Sequence, residues 1–192
     1  MGQMDECFMS ARDEALYHLP AARGEDQLRR MEKLERGGVC IFCPEHFATF
    51  NREPVEIAGE HWYVTKNDYP YIGTRAHYLI VSNLHVRSFD ELPDAAGAEL
   101  WALKRQLKQR LAPLAVATVE RSGDMRYNGG SVAHLHVHFV ALDDNPERTV
   151  RFKVSRDPVS KDDPLNHQHT GSPHDPAGAK ETHGDHQRDL QL

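Results

Sequence analysis

One stretch constrains this chain more than any other: Asn128-Gly129-Gly130-Ser131-Val132-Ala133-His134-Leu135-His136-Val137-His138-Phe139-Val140. Histidine alternates with apolar residues, and that period of two predicts a half-buried strand over 132–142. His134, His136 and His138 then share one face, while Ala133, Leu135, Val137 and Phe139 turn to a core. Same-face neighbours on a strand sit roughly 6.6 Å apart. Three residues of one uncommon type in register are more than an exposed polar face requires. Two chemistries use such a row: a metal held by two or three imidazoles, or nucleophilic catalysis by a central one. The Gly129-Gly130-Ser131 turn just before it offers backbone N–H donors to an anion, and glycine lets a phosphate approach closely.

The rest of the chain reads as a frame for that strand. A helix is expected over 1–19, carrying Met4, Phe8, Ala11, Ala15 and Leu19 to Pro20, and a charged one over 26–36, stopped by Gly37-Gly38. Strands are expected at 55–57, 62–66, 77–82, 114–121 and 149–154. Between them Leu92, Leu100, Leu103, Leu107 and Leu111 mark one long amphipathic helix ending at Pro113, with Ser88 and Asp90 as capping residues nearby. The pattern predicts an α+β fold with an antiparallel sheet of about five strands. No Gly-rich βαβ unit is present, which excludes a dinucleotide-binding Rossmann domain. Three regions follow: a helical extension over 1–38, a folded domain over 39–154 that carries the histidine strand, and a disordered tail over 155–192 that holds His167, His169, His174, His183 and His186.

The charge of −6 gives no electrostatic reason to expect nucleic acid as a partner. No apolar run approaches the ~20 residues that cross a bilayer, and no signal-peptide pattern opens the sequence, so no membrane partner and a cytoplasmic location are expected. Three cysteines do not make a disulfide scaffold. Cys40-x-x-Cys43 has the spacing of half a zinc site, which needs two more thiolates or imidazoles. His85 and His134 are candidates, with His46 as a local rival. A redox dithiol and a plain buried pair are the other readings, and Cys7 reads as a small apolar residue.

His134-Leu-His136-Val-His138-Phe-Val resembles the His-φ-His-φ-His-φ-φ signature of the histidine-triad superfamily. The resemblance extends over roughly residues 39–142. Val39-Cys40-Ile41-Phe42-Cys43 is similar to the opening of its zinc-containing members. Asn67-Asp68-Tyr69-Pro70-Tyr71, His77-Tyr78-Leu79-Ile80-Val81 and His85 resemble its ribose-contacting turn, strand and following histidine, closest to dinucleoside-polyphosphate hydrolase and phosphorylase-like members. The chain departs from the family in having Gly130 where many members carry Gln, and in lacking a proline after Val140.

The resemblance implies that His136 is the nucleophile at an α-phosphate, with His138 supporting it or contacting phosphate. His134 would either orient His136 or join Cys40, Cys43 and His85 around a structural zinc. Asn67 would meet the ribose, Asn128, Gly130 and Ser131 the phosphate or leaving group, and His77 would support the site. It also implies a nucleotide substrate and a homodimer. Hydrolysis of a dinucleoside polyphosphate or related nucleotide leads. Phosphorolysis of the same substrates, and a low-turnover nucleotide-binding scaffold, are the alternatives.

Overall fold

A computed structural model describes residues 15–148, 150 and 152. Most of the expected first helix, the expected strand over 149–154 and the tail over 155–192 lie outside the described residues. Nine elements are at issue here: α1 Glu25–Arg36, α2 Pro44–Phe50, β1 Val55–Ala58, β2 Trp62–Lys66, β3 Thr74–Ser82, α3 Asp94–Leu111, β4 Val116–Glu120, α4 Met125–Asn128 and β5 His136–Leu142. The five strands form one sheet in the order β1-β2-β3-β5-β4, every pair antiparallel. The expected α+β architecture is therefore the observed one. Among the described residues no helix is long and apolar enough to cross a membrane.

The histidine strand sits inside the sheet, between β3 and β4, and both of its faces are covered. On one face Leu135, Val137 and Phe139 join Trp62, Val64 and Ile80 under the Ala96, Leu100, Leu103 and Leu107 stripe of α3. The Trp62 indole N–H donates to the Ala96 carbonyl at 2.8 Å and pins the helix to the sheet. The helix ends where Ala112 turns into the left-handed region (φ 43°) ahead of Pro113.

The other face carries His136 and His138, which register with Val81 and Leu79 of β3. An N-terminal layer closes over it: Tyr17, Met31 and Leu34 pack with Ile41, Phe42 and Phe47 against Tyr63, Leu79 and Val81. The expected half-solvated histidine row is thus corrected. His134, His136 and His138 are only 2%, 6% and 6% exposed. Sequence alternation reports that two faces differ, and here the second face is lined by histidine yet roofed by the chain's own extension.

Two further expectations change for a shared reason. Residues 15–18 are not helical: Tyr17 bridges antiparallel to Val132, His18 N–H donates to the Ser131 carbonyl (3.1 Å), and Ala133 N–H to that of Leu16 (2.8 Å). A single 3₁₀ turn over Leu19–Ala21 then leads to α1. The same pairing takes residues 131–133 out of the sheet, so β5 begins at His136 and not at 132. The Glu35 carboxylate accepts the Leu16 and Tyr17 N–H groups (3.3 and 2.8 Å), while the Tyr17 hydroxyl donates to Val39 and accepts from Ile41 (2.8 and 2.9 Å). A short helix, α2, also appears where the sequence suggested none.

Tyr17→Phe removes the hydroxyl and strands the Ile41 N–H and Val39 carbonyl in the interior. It should cost about 1–3 kcal/mol of stability, read as a lower urea midpoint with an unchanged m-value.

Candidate active site and metal cluster

His134 follows directly on the residues that pair with 16–18, and its ring leaves the histidine row for the cysteine turn. Its Nδ1 lies 3.4 Å from Cys40 Sγ and 3.8 Å from Cys43 Sγ, and His85 Nδ1 lies 3.2 Å from Cys43 Sγ. The four ligand atoms all fall within 4.8 Å of one another. A tetrahedral site with Zn–S and Zn–N bonds of standard length has ligand-to-ligand edges of about 3.3–3.8 Å, so spacing and donor chemistry fit a four-coordinate ion. The Nε2–H of His134 donates to the Ser82 carbonyl at 2.8 Å, which fixes the tautomer with Nδ1 as the ligand nitrogen. Burial pushes the Cys43 thiol up to about 12, and neighbouring Cys40 adds to the shift. Two such thiols become thiolates only beside a cation. His46, the local rival, is elsewhere: its Nδ1 faces the Cys40 carbonyl at 3.2 Å.

His136 has a different arrangement. Its Nδ1–H donates to the His134 carbonyl at 2.6 Å, which makes Nε2 the lone-pair nitrogen. Burial is the main cause that lowers its pKa to about 4; the carbonyl contact opposes this, and the charges of Arg121 and Arg23 add to it. At neutral pH the ring is neutral, with one fixed tautomer and one free lone pair, which is what a nucleophile requires. Phe42 packs on it at 5.0 Å between ring centroids.

His138 is wired through His77. The Tyr71 backbone N–H donates to His77 Nδ1 at 3.1 Å, so the proton of His77 sits on Nε2. That Nε2 lies 2.9 Å from His138 Nδ1 and donates to it, leaving the proton of His138 on its own Nε2. A backbone amide thus sets two imidazoles in turn and makes His138 a donor. His136 and His138 stand 5.0 Å apart, ring to ring. Burial, then the charges of Arg23, His136 and Arg121, hold His77 down at about 3.

Asn67 and Ser131 line one small cavity together with His136 and His138. Asn67 also accepts the Tyr69 N–H at 3.0 Å and places its amide 3.2 Å from His77 Nε2. The Asn128 side chain is bonded within its own loop: Oδ1 accepts the Gly130 N–H (2.8 Å) and Nδ2 donates to the Ser122 carbonyl (3.1 Å). The Gly130 N–H is therefore engaged by Asn128. A Cβ at Gly130 would stand 2.9 Å from that Oδ1, so a side chain there would push the Asn128 amide aside. Gly129 turns the loop at φ 69°. Asn128 and Gly130 do line a second, narrow cleft that also touches His136, along with Arg121.

Sequence reasoning attached no role to Tyr71, Ser82, Tyr17 or Arg23. Tyr71 lay inside the quoted Asn67–Tyr71 turn and could have been marked by its stacking potential. It stacks on His77 at 4.5 Å, and Arg23 sits over its ring at 4.6 Å. Nothing local in the sequence singles out the other three.

Because the buried His77 resists a proton that the unfolded chain accepts near 6.5, its contribution to stability is full above pH 6.5 and is lost as pH falls toward 3. The wild-type urea midpoint should fall from pH 7 to pH 4, and His77→Gln should show a smaller fall over the same window.

No family model matches the chain, and no curated protein matches it. Solved structures do. The chain is similar to a member of the HIT family of proteins from Bacillus subtilis, at 20% identity and TM-score 0.45 over 67% of this chain and 92% of that one. A histidine triad nucleotide-binding protein from Candida albicans matches at 19% identity and TM-score 0.46, over 68% and 92%. A HIT family hydrolase from Clostridium thermocellum matches at 17% and 0.45, over 57% and 96%. With every one of these scores below 0.5, the chemistry of the site rests on its own residues.

Proposed function

We propose that the protein is a nucleotide hydrolase or nucleotidyltransferase acting at the α-phosphate of a dinucleoside polyphosphate or related nucleotide. The observation that carries this reading is the state of His136: buried, neutral, and held by the His134 carbonyl with Nε2 as its free lone pair. In the first step Nε2 attacks the α-phosphorus, a P–N bond forms, and the P–O bond to the leaving group breaks. His138, a donor at Nε2 through the His77 relay, hydrogen-bonds the phosphoryl oxygens as charge builds on them, and the leaving group departs as its phosphate anion. In the second step water attacks phosphorus and passes a proton to solvent, and the P–N electron pair returns to His136. Inorganic phosphate in place of water makes the same site a phosphorylase. Asn67 and Ser131 border the cavity in which ribose and phosphate would meet the two histidines.

Zinc is the ion we assign to Cys40, Cys43, His85 and His134, in a structural role with all four positions taken by protein. It would tie the cysteine turn and the residues after β3 to the start of β5, and so hold the His134 carbonyl under His136. The reading is completed by a homodimer in the cytoplasm, with no nucleic acid and no membrane as partner.

Wild-type protein mixed with a panel of labelled dinucleoside polyphosphates should form an acid-labile nucleotidyl adduct and release product. His136→Ala should lose both, with turnover down roughly 10³-fold or more; wild type that neither forms an adduct nor cleaves any nucleotide would sink the proposal. Product analysis with and without inorganic phosphate identifies the acceptor. For the metal, Cys40→Ser in the full-length chain should bind one zinc fewer than wild type, by mass spectrometry of the native protein, and melt at a lower temperature. Equal zinc in the two removes the assignment.

A further inference from the structure

The cavity that holds His136 and His138 is about 60 Å³, room for a few water molecules. Pockets that take small organic ligands ordinarily measure roughly 300–1,000 Å³. A ribose and its phosphate therefore cannot stand beside Asn67 and Ser131 while the roof of this cavity is in place. That roof is one stripe of α1, Gln27, Arg30, Met31 and Leu34, with Arg23 just ahead of the helix. The nucleophile is formed but sealed.

The stripe changes character along its length. At the C-terminal end Met31 and Leu34 are buried in the core, and the chain then turns through Gly37-Gly38, with Gly38 at φ 61°. Toward the other end the stripe is polar, and polar contacts hold it down. Arg30 pairs with Asp68 at 2.6 Å, and Arg23 lies over the Tyr71 ring at 4.6 Å. A helix serving only as core would be apolar along the whole of this face. The closed arrangement also leaves polar groups poorly served. Arg30 Nη2 and the Tyr69 hydroxyl are buried with no hydrogen bond of proper geometry, and both residues line the cavity. Asp68, by contrast, does not depend on the helix. Its carboxylate also accepts the Arg52 and Glu53 N–H groups, at 3.2 and 3.3 Å.

We propose that α1 is an autoinhibitory lid, latched shut by the Arg30–Asp68 ion pair, that swings about Gly37-Gly38 to admit the organic part of a substrate to His136. The apolar end of the stripe is the anchor beside the hinge, and the polar end is the part that lifts. Apparent affinity then falls by the fraction of molecules that stand open, so whatever loosens the lid tightens binding. The identity of the ligand rests on the nucleotide reading above; the lid rests on α1 and the sealed cavity.

Two measurements on the full-length chain test this. The first needs no nucleotide: diethyl pyrocarbonate acylates neutral imidazole, and peptide mass spectrometry reads which histidine has reacted. Arg30→Met breaks the latch and leaves Asp68 its two backbone donors; Met31→Ala weakens the anchor without removing a charge. His136 should react roughly tenfold faster or more in both variants, while His134, held at the cysteine turn, reacts no faster than in wild type. The second uses a methylene-bridged dinucleoside tetraphosphate. By calorimetry Met31→Ala should bind it several-fold tighter than wild type does, and the α1 amides of wild type should exchange hydrogen faster with it bound. Wild-type acylation of His136 in both variants, or a ligand that slows exchange in α1 and binds no tighter to Met31→Ala, would overturn the lid and leave the nucleotide reading standing. Faster acylation of His136 with no nucleotide bound by any of the three proteins would keep the lid and remove the nucleotide reading.

Discussion

The hydrogen bond from His136 Nδ1 to the His134 carbonyl, 2.6 Å long, is the contact on which the rest of the site depends. It decides which imidazole nitrogen carries the proton, and hence which one has a lone pair to use. A carbonyl can do this only if its own peptide is immobile. The His134 ring supplies that immobility from both ends, with Nδ1 among the two cysteines and His85 and Nε2 on the Ser82 carbonyl. One residue therefore joins the cysteine–histidine cluster to the histidine row: its side chain holds the chain and its backbone sets the neighbour.

A parallel logic governs His138. The proton order runs from the Tyr71 amide through His77 to His138, and each member is fixed by the one before it. Burial makes these rings neutral, with His77 down at about 3 and His136 at about 4, and neutrality is what gives tautomers meaning. A solvated histidine row of the same sequence would exchange tautomers freely and carry variable charge. The covering layer is thus part of the electrostatics of the site as well as its packing.

That layer is built by the N-terminal extension, which behaves as part of the domain. Met31 and Leu34 enter the same core cluster as Ile41, Phe42 and Leu79, and Tyr17 extends the pairing at Val132. Burying two such side chains contributes about 3–6 kcal/mol in all, enough to keep α1 seated through ordinary thermal motion. The layer also divides the space near the triad into a small inner cavity and a larger outer one, and it brings Arg23 to the boundary between them.

Much of this was legible in the sequence, because local patterns encode local geometry. The alternation of His134 to Val140 specified a strand with a histidine face, the leucine stripe specified α3, and Cys40-x-x-Cys43 with His85 and His134 named the four side chains that the fold gathers within 4.8 Å. The antiparallel α+β class followed from short strands and turns. What only the tertiary structure decided were relations between segments far apart in the chain. Residues 15–18 pair with 131–133 and are not helical, because that pairing and the Glu35 carboxylate satisfy their backbone groups. Whether the histidine face meets water or protein, which nitrogen of each ring bears a proton, and where Arg23 lies depend on partners tens of residues away. Periodicity shows that a strand has two faces; only the folded chain decides what covers each of them.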